Sequence, residues 1–344
     1  MNAPRARVAR RPVHGVLLLD KPLGWSSNDA LQKAKWLMRA EKAGHTGTLD
    51  PLATGLLPLC FGAATKFSQL QLEADKTYEA VARLGVKTST GDAEGVVIAE
   101  RPVKVTAQDL SEVALRFTGL IRQIPPMHSA LKKDGKALYE YARAGVEVER
   151  DAREVTIYKL NMTLAPVDSE YSAIKIVVKC SKGTYIRTLA EDIGEALGCG
   201  AHLIGLRRVE TGGFNVAQCV TLAALEAMTD EERWSQLLPV DSLLGEHTVV
   251  TLDGENAGRF LSGLRRRGDW PDRSQVAVYG PSTGSGQARG ALLGTAHVVA
   301  GELIPGRLLS PLEIEQIVGD GGSGPGVLCA VPSSVPEKTD FDQI

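Results

Sequence analysis

Tyr171-Ser172-Ala173-Ile174-Lys175-Ile176-Val177-Val178-Lys179-Cys180 runs straight into Ser181-Lys182-Gly183-Thr184-Tyr185-Ile186-Arg187. In the first part Ile174, Ile176, Val178 and Cys180 share one face, and Lys175 and Lys179 lie on the other. That period of two predicts a half-buried strand. After Gly183 the period changes. Ile186, Leu189, Ile193 and Leu197 recur at helical spacing, and Gly198 closes the segment as a C-terminal glycine does. Strand and helix adjoin here without the regular spacing of repeated βαβ units, so the fold class is α+β rather than a doubly wound sheet.

Working outward, the same two periods recur. Gly15-Val16-Leu17-Leu18-Leu19-Asp20 reads as a buried strand ended by Lys21-Pro22. A helix is predicted from about Asp29, with Ala30, Leu31, Ala34, Leu37 and Met38 on its apolar face and Ser26 and Asp29 as a variant capping pair. Tyr78 to Leu84 alternates as a strand. Leu110, Val113, Ala114 and Phe117 mark a helix stopped near Gly119. From about Thr248 the texture changes to short apolar runs, Val276–Tyr279, Ala291–Leu293 and His297–Val299, separated by glycine-rich turns. That predicts a small β domain over 247–318. Residues 1–12 read as a disordered basic arm, and 319–344, rich in Gly, Ser, Pro and acids, as a disordered acidic tail. There is no internal repeat.

Composition narrows the function classes. At 344 residues the chain is long enough for two domains. No apolar run approaches the ~18 residues of a membrane span, so no membrane partner is expected. Arg5, Arg7, Arg10 and Arg11 precede no apolar core, which argues against a secretory signal and fits a loose arm better than a transit peptide. The five cysteines are widely spaced, as in a reduced, cytoplasmic protein without a structural metal. Residues 311–344 carry Glu313, Glu315, Asp320, Glu337, Asp340 and Asp342 against Lys338. The formal charge of −2 therefore conceals a mildly basic body, which suits a nucleic-acid partner without requiring one.

The chemistry-bearing stretch is Gly44-His45-Thr46-Gly47-Thr48-Leu49-Asp50-Pro51-Leu52-Ala53-Thr54-Gly55. One carboxylate stands there among small polar residues, with Pro51 restricting Asp50 to extended backbone. The residues alone leave two readings, an Asp-Pro turn or a stiffly held reagent. Between 122 and 150, Arg122, Lys132, Lys133, Lys136, Arg143 and Arg150 interleave with Pro125-Pro126, His128, Tyr139 and Tyr141. This reads as a basic insertion for an anionic ligand or as a solvated helical hairpin. Other motifs fail on context. Gly319–Gly324 fits G-x-G-x-x-G without the helix and acid that must follow. Gly280-Pro281-Ser282-Thr283-Gly284 fits a nucleophile elbow, but flexible glycine-rich sequence follows where a helix is needed. Gly62-Ala63-Ala64-Thr65-Lys66 lacks the order of a phosphate loop, and His14, His202, His247 and His297 lack metal spacing.

Taken together these residues resemble the bacterial tRNA pseudouridine synthases of the TruB family. The likeness runs from about Gly15 to Phe214. It includes Gly15–Pro22, the whole Gly44–Gly55 stretch, Lys76-Thr77-Tyr78, Leu84-Gly85, Thr88, Thr90-Gly91-Asp92 and Gly95. It continues through Gln123, Pro125-Pro126, Ser129-Ala130, Lys132, Cys180–Arg187, Gly200-Ala201-His202 and Leu206-Arg207-Arg208. The C-terminal part resembles the PUA module more loosely. Arg289–Leu309 fits its last strands, while Pro281–Gln287 looks like an extra loop.

The resemblance implies a pseudouridine synthase fold, with a mixed, largely antiparallel central sheet flanked by helices over 13–246 and a PUA-like β domain after it. It implies isomerisation of uridine 55 in the tRNA T-loop: C1′–N1 breaks, the uracil turns, and C5 joins C1′. Nothing is oxidised or transferred, so no cofactor is implied. By resemblance Asp50 is the reacting carboxylate, whether it attacks C1′ or C6 or removes the C2′ proton. A carboxylate in a partly dry pocket needs a cation beside it. Arg187 is the implied partner, with a fork able to pair bidentately. Tyr78 would stack on the uracil and take the C5 proton; without the resemblance it is equally a packed strand aromatic. Tyr185 and Leu206 would line the pocket, and His45 would occupy the space left by the flipped base. Lys21, Lys132 and Arg208 would contact phosphates, and the PUA-like domain would grip the acceptor stem. A monomer is expected. The competing functions are a non-catalytic RNA-binding module, which has no need of Asp50, and a serine hydrolase at Ser282.

Overall fold

The computed structural model describes residues 9–165, 171–281 and 290–320. Ser282, the 282–287 part of the extra loop, the arm before residue 9 and the tail beyond Asp320 lie outside them, as do the expectations attached to them.

Ten strands form the main sheet. Its spine runs Val220–Thr221, Gly15–Lys21, Ala53–Phe61, Ala201–Thr211, Lys76–Leu84, Ala173–Cys180, Arg153–Leu164, Gly119–Gln123. Ala43–His45 adds to Ala53–Phe61, and Phe214–Asn215 to Ala201–Thr211. Two pairings are parallel, Gly15–Lys21 with Val220–Thr221 and Ala53–Phe61 with Ala201–Thr211. The others are antiparallel, so the sheet is mixed and largely antiparallel, as the resemblance implies.

The unbroken apolar run of Gly15–Lys21 follows from burial on both faces. Leu17 and Leu19 enter the core beneath the helices Ser27–Leu37 and Ile186–Ala196. Val16 and Leu18 enter a second core with Phe67, Phe214, Ala277, Tyr279 and Leu309. That second core joins the main sheet to a five-stranded sheet built from Thr248–Thr251, Arg266–Arg267, Arg273–Tyr279, Leu292–Val299 and Glu302–Leu308. The join has polar pins as well. Lys66 Nζ lies 2.6 Å from Glu313 Oε2, and Tyr279 Oη donates to Asp241 Oδ2 at 3.0 Å. Among the described residues no helix is long and apolar enough to cross a membrane.

The alternation matches burial strictly along Lys76–Leu84 and from Ile174 onward in Ala173–Cys180, and Ser26 caps Ser27–Leu37 by accepting from the Asp29 amide. Four expectations differ. Leu292-Leu293, the last two residues of the first run, and His297–Val299 belong to one strand, Leu292–Val299, because Gly294 bends the backbone at φ +149 where the register shifts instead of turning it back. The 122–150 segment is a short β-hairpin, Lys132–Lys133 with Lys136–Ala137, followed by one helix, Leu138–Arg143, rather than a helical hairpin. Arg11 is docked, not loose: its backbone bonds to Arg39 and Glu41, and its guanidinium stacks 3.1 Å from the Trp234 ring centre. Gly319 and Asp320, expected in the tail, end the helix Pro311–Asp320.

One glycine controls how closely the strands meet at the site. Gly55 has φ +97 and faces Arg208 across the parallel pairing. A Cβ there would stand 2.3 Å from the Arg208 carbonyl oxygen. Gly55→Ala therefore combines backbone strain with a clash that no rotamer relieves. We expect it to cost about 3 kcal/mol or more, read as the shift of the urea-unfolding midpoint. An unchanged midpoint would show that the strands part freely there.

Candidate active site

The Gly44–Gly55 stretch is less of a loop than its composition suggests. Its first residues belong to Ala43–His45 and its last to Ala53–Phe61, two strands paired with each other. Only 46–52 leaves the sheet. That excursion is pinned along its length. The Thr46 amide donates to the Pro58 carbonyl at 3.1 Å, and the Gly24 amide to the Pro51 carbonyl at 2.9 Å. The Ser27 hydroxyl accepts from the Leu49 amide at 2.7 Å and donates to the Leu49 carbonyl at 2.9 Å. Leu49 is buried, while the Asp50 side chain next to it remains 44% exposed. The backbone is fixed and the carboxylate is open.

Arg187 is the second residue of Ile186–Ala196 and is buried. Its Nη2 lies 3.0 Å from Asp50 Oδ2 and donates to the His128 carbonyl at 2.6 Å. Its Nη1 donates to Asp92 Oδ2 and to the Thr90 carbonyl, both at 3.3 Å. The pairing with Asp50 is therefore single-point rather than bidentate, because the other arm of the fork is taken. Asp92 is buried too, and its Oδ1 accepts from the Thr90 hydroxyl at 2.5 Å and the Glu94 amide at 3.1 Å. One buried guanidinium thus links a buried carboxylate to an open one.

Asp92 carried no assigned role in the sequence. Its short spacing after Thr90-Gly91 is the signature of a carboxylate folding back on its own turn. Gln123 was missed as well. It is buried, its Oε1 accepts from the Tyr185 amide at 3.0 Å and its Nε2 donates to the Tyr185 carbonyl at 3.2 Å, which fixes Tyr185 ahead of the helix. Replacing Asp92 by Asn removes the charge that holds Arg187 from behind. We expect single-turnover chemistry to slow by roughly tenfold to a hundredfold with RNA affinity unchanged, since only alignment is lost. Equal rates for the variant and the parent would remove Asp92 from the site.

Tyr78 lies on Lys76–Leu84, buried, as the cross-strand neighbour of Arg208 and of Val178. Burial pushes its phenol above the ordinary range, against the pull of the adjacent Arg208 guanidinium. That direction suits a stacking surface and works against a base for the C5 proton. Leu206 is half-buried on Ala201–Thr211, opposite Ala53 and Ala80. Burial raises the Tyr185 phenol, with the charges of Arg187 and Asp50 within reach of it. His45 is half-buried; burial, then Arg208, lowers its pKa, and its Nδ1 has no hydrogen-bond partner.

The three expected phosphate contacts divide. Lys132 is exposed on its hairpin, and no contact joins it to Asp50 among the described residues. Lys21 is not a surface contact. It is fully buried, and its ammonium donates to the Pro22 carbonyl at 3.0 Å and the Trp25 carbonyl at 2.5 Å, holding the turn that Gly24 ties to Pro51. Burial brings its pKa down to about 8 despite the attraction of Asp50. Arg208 is not a surface contact either. It is 1% exposed, and its Nε donates to the Leu56 carbonyl at 2.8 Å. Both residues lie on strand positions that point beneath the excursion, where phosphate has no access. Among the described residues no group of three or more His, Cys, Asp and Glu could hold a metal ion.

The geometry has counterparts among known proteins. Residues 35–186 match the family model of the N-terminal domain of TruB family pseudouridylate synthases, and 187–245 match that of the tRNA pseudouridylate synthase B C-terminal domain. The chain belongs to the TruB family. A relative from Verminephrobacter eiseniae named tRNA pseudouridine synthase B is 63% identical, covering 92% of this chain and 95% of that one. One of the same name from Ralstonia nicotianae is 59% identical over 89% of this chain and 97% of its own. Among solved structures, a chain of a Cbf5-Nop10-Gar1 complex superposes with TM-score 0.60 at 26% identity, covering 83% of this chain and 78% of that one. Membership of the TruB family makes the chain a pseudouridine synthase. The boundary between the two family models falls at the start of the helix that carries Arg187, so the Asp50–Arg187 pair joins residues from both.

Proposed function

We propose that this chain isomerises uridine 55 in the T-loop of tRNA to pseudouridine, without cofactor, using Asp50 as the reacting carboxylate. The observation that carries the reading is the pair itself: a half-open carboxylate on a pinned excursion, 3.0 Å from a buried arginine. The naming of relatives that match nearly end to end as tRNA pseudouridine synthases supports tRNA as the substrate.

In this reading the target uridine is flipped out of the folded loop, at a cost of a few kcal/mol. His45 occupies the space it leaves. The uracil stacks on Tyr78, with Leu206 and Tyr185 lining the pocket, and Arg187 keeps Asp50 aimed at the sugar and base. After C1′–N1 breaks, the pocket must retain the free uracil while it turns to present C5, which favours flat apolar walls over a close net of hydrogen bonds. Asp50 serves as nucleophile at C1′ or C6, or as base at C2′; its exposure is compatible with each. The catalytic unit spans 13–246, with the basic 122–150 insertion, including Lys132, against the T-loop. The PUA-like unit over 247–318 grips the acceptor stem by shape and phosphate. The enzyme works as a cytoplasmic monomer.

The test uses a T-loop stem-loop RNA tritiated at C5 of its uridines. The purified chain is expected to release the tritium of one uridine per RNA, and none when cytidine replaces the target. Release that ignores the replaced position would overturn the assignment to uridine 55.

A further inference from the structure

Arg208 heads the fully buried side chains by size. Buried arginines ordinarily pair with a carboxylate, because an unpaired charge in low dielectric is strongly disfavoured. Arg208 has no ion pair among the described residues. Its Nε donates to the Leu56 carbonyl, and its Nη2 is buried with no hydrogen-bond partner. Three of its neighbours are bases whose positive form it opposes. It acts on the buried ammonium groups of Lys21 and Lys76 and on the His45 ring, in each case against the positive form. An apolar residue of similar volume would pack there without this conflict.

Its position suggests what the charge is for. In the sheet Arg208 has Gly55 on one side and Tyr78 on the other. Its Nε holds Leu56, just after the excursion that presents Asp50. A Cβ on Gly47, near the start of that excursion, would stand 3.3 Å from its Nη1. Its guanidinium also lies against the Tyr78 phenol. One rigid fork therefore reaches from the start of the Asp50 excursion to the strand that follows it and to Tyr78.

We propose that Arg208 is a positioning residue: it fixes the Asp50 excursion and Tyr78 relative to each other, and so sets the fit of the uracil between them. This rests on the reading of Asp50 as the reacting carboxylate. A planar guanidinium can bridge three directions at once; an ammonium on a flexible stem cannot. The inference concerns alignment during chemistry, so its signature is coupling to Tyr78 rather than loss of RNA affinity.

The experiment is a double-mutant cycle on the full chain. Arg208→Lys, Arg208→Gln, Tyr78→Phe and the combinations are compared by single-turnover tritium release from the T-loop RNA, RNA binding on filters, and thermal unfolding. Arg208→Lys and Arg208→Gln are each expected to slow release at least tenfold with RNA affinity within twofold of the parent. In the Tyr78→Phe background the same substitutions are expected to slow release by a smaller factor than in the parent, because one of the two groups they position, the phenol, is gone. Equal losses in both backgrounds, or no loss, would overturn the proposal. So would failure of both Arg208 variants to fold, which would make the residue a structural strut. Asp50→Asn is run alongside. If it turns over normally, the reading of Asp50 fails; if it is inactive while the cycle shows no coupling, only the role of Arg208 fails.

Discussion

Asp50→Asn is expected to abolish tritium release from C5-labelled uridine while leaving RNA affinity within about twofold. Asparagine keeps the shape and one acceptor oxygen but can neither attack as a carboxylate nor take a proton. Loss of a positioned proton-transfer group alone costs about 10²–10⁴-fold, and here the carboxylate is the sole reagent. The variant is expected to fold as well as the parent. The excursion is held by backbone bonds through Thr46, Leu49 and Pro51, and the Asp50 side chain is 44% exposed. Relieving an open carboxylate of its fixed place commonly leaves stability unchanged or raises it. Turnover at the parental rate would exclude Asp50 as the reagent; loss of RNA binding together with activity would make it a recognition residue.

Arg187→Met is expected to have the second-largest effect, and on two quantities at once. The guanidinium bridges Asp92, whose side chain is 5% exposed, to Asp50. Removing it leaves Asp92 buried without its counter-charge, which costs about 3–5 kcal/mol of stability. It also frees Asp50 from its aim, for which we expect roughly a 10³-fold fall in single-turnover rate, measured at a temperature where the variant remains folded. Arg187→Lys restores charge but not the span from His128 and Thr90 to both carboxylates, so it is expected to recover much of the stability and little of the rate. Full recovery of the rate by lysine would show that charge alone suffices at this position.

Much of the fold was legible because burial imposes period. Ile174–Cys180 and Lys76–Leu84 bury alternate residues, and the predicted helix after Gly183 forms at Ile186–Ala196. The mixed sheet followed from the family likeness, since no local period reports which strands pair 150 residues apart. What local pattern misread was tertiary in origin. Gly294 looked like a turn glycine and is a bend within a strand, because its neighbours are held by Arg273–Tyr279 on one side and Glu302–Leu308 on the other. At the site, residue type and likeness singled out Asp50 and Arg187, which the structure brings into contact. Lys21 and Arg208 misled for one reason. Lysine and arginine are mostly surface residues, and nothing in a sequence marks the rare cation that is buried to hold backbone carbonyls. Asp92 and Gln123 escaped assignment because their partners, Arg187 and Tyr185, lie more than sixty residues away in each case.

The most direct measurement is the position of pseudouridine in a full-length, unmodified tRNA transcript after a single turnover with the purified chain, beside an Asp50→Asn control. The account predicts one pseudouridine, at position 55, with the parent chain and none with the control. Pseudouridine elsewhere in the transcript, or at position 55 with the control as well, would contradict it.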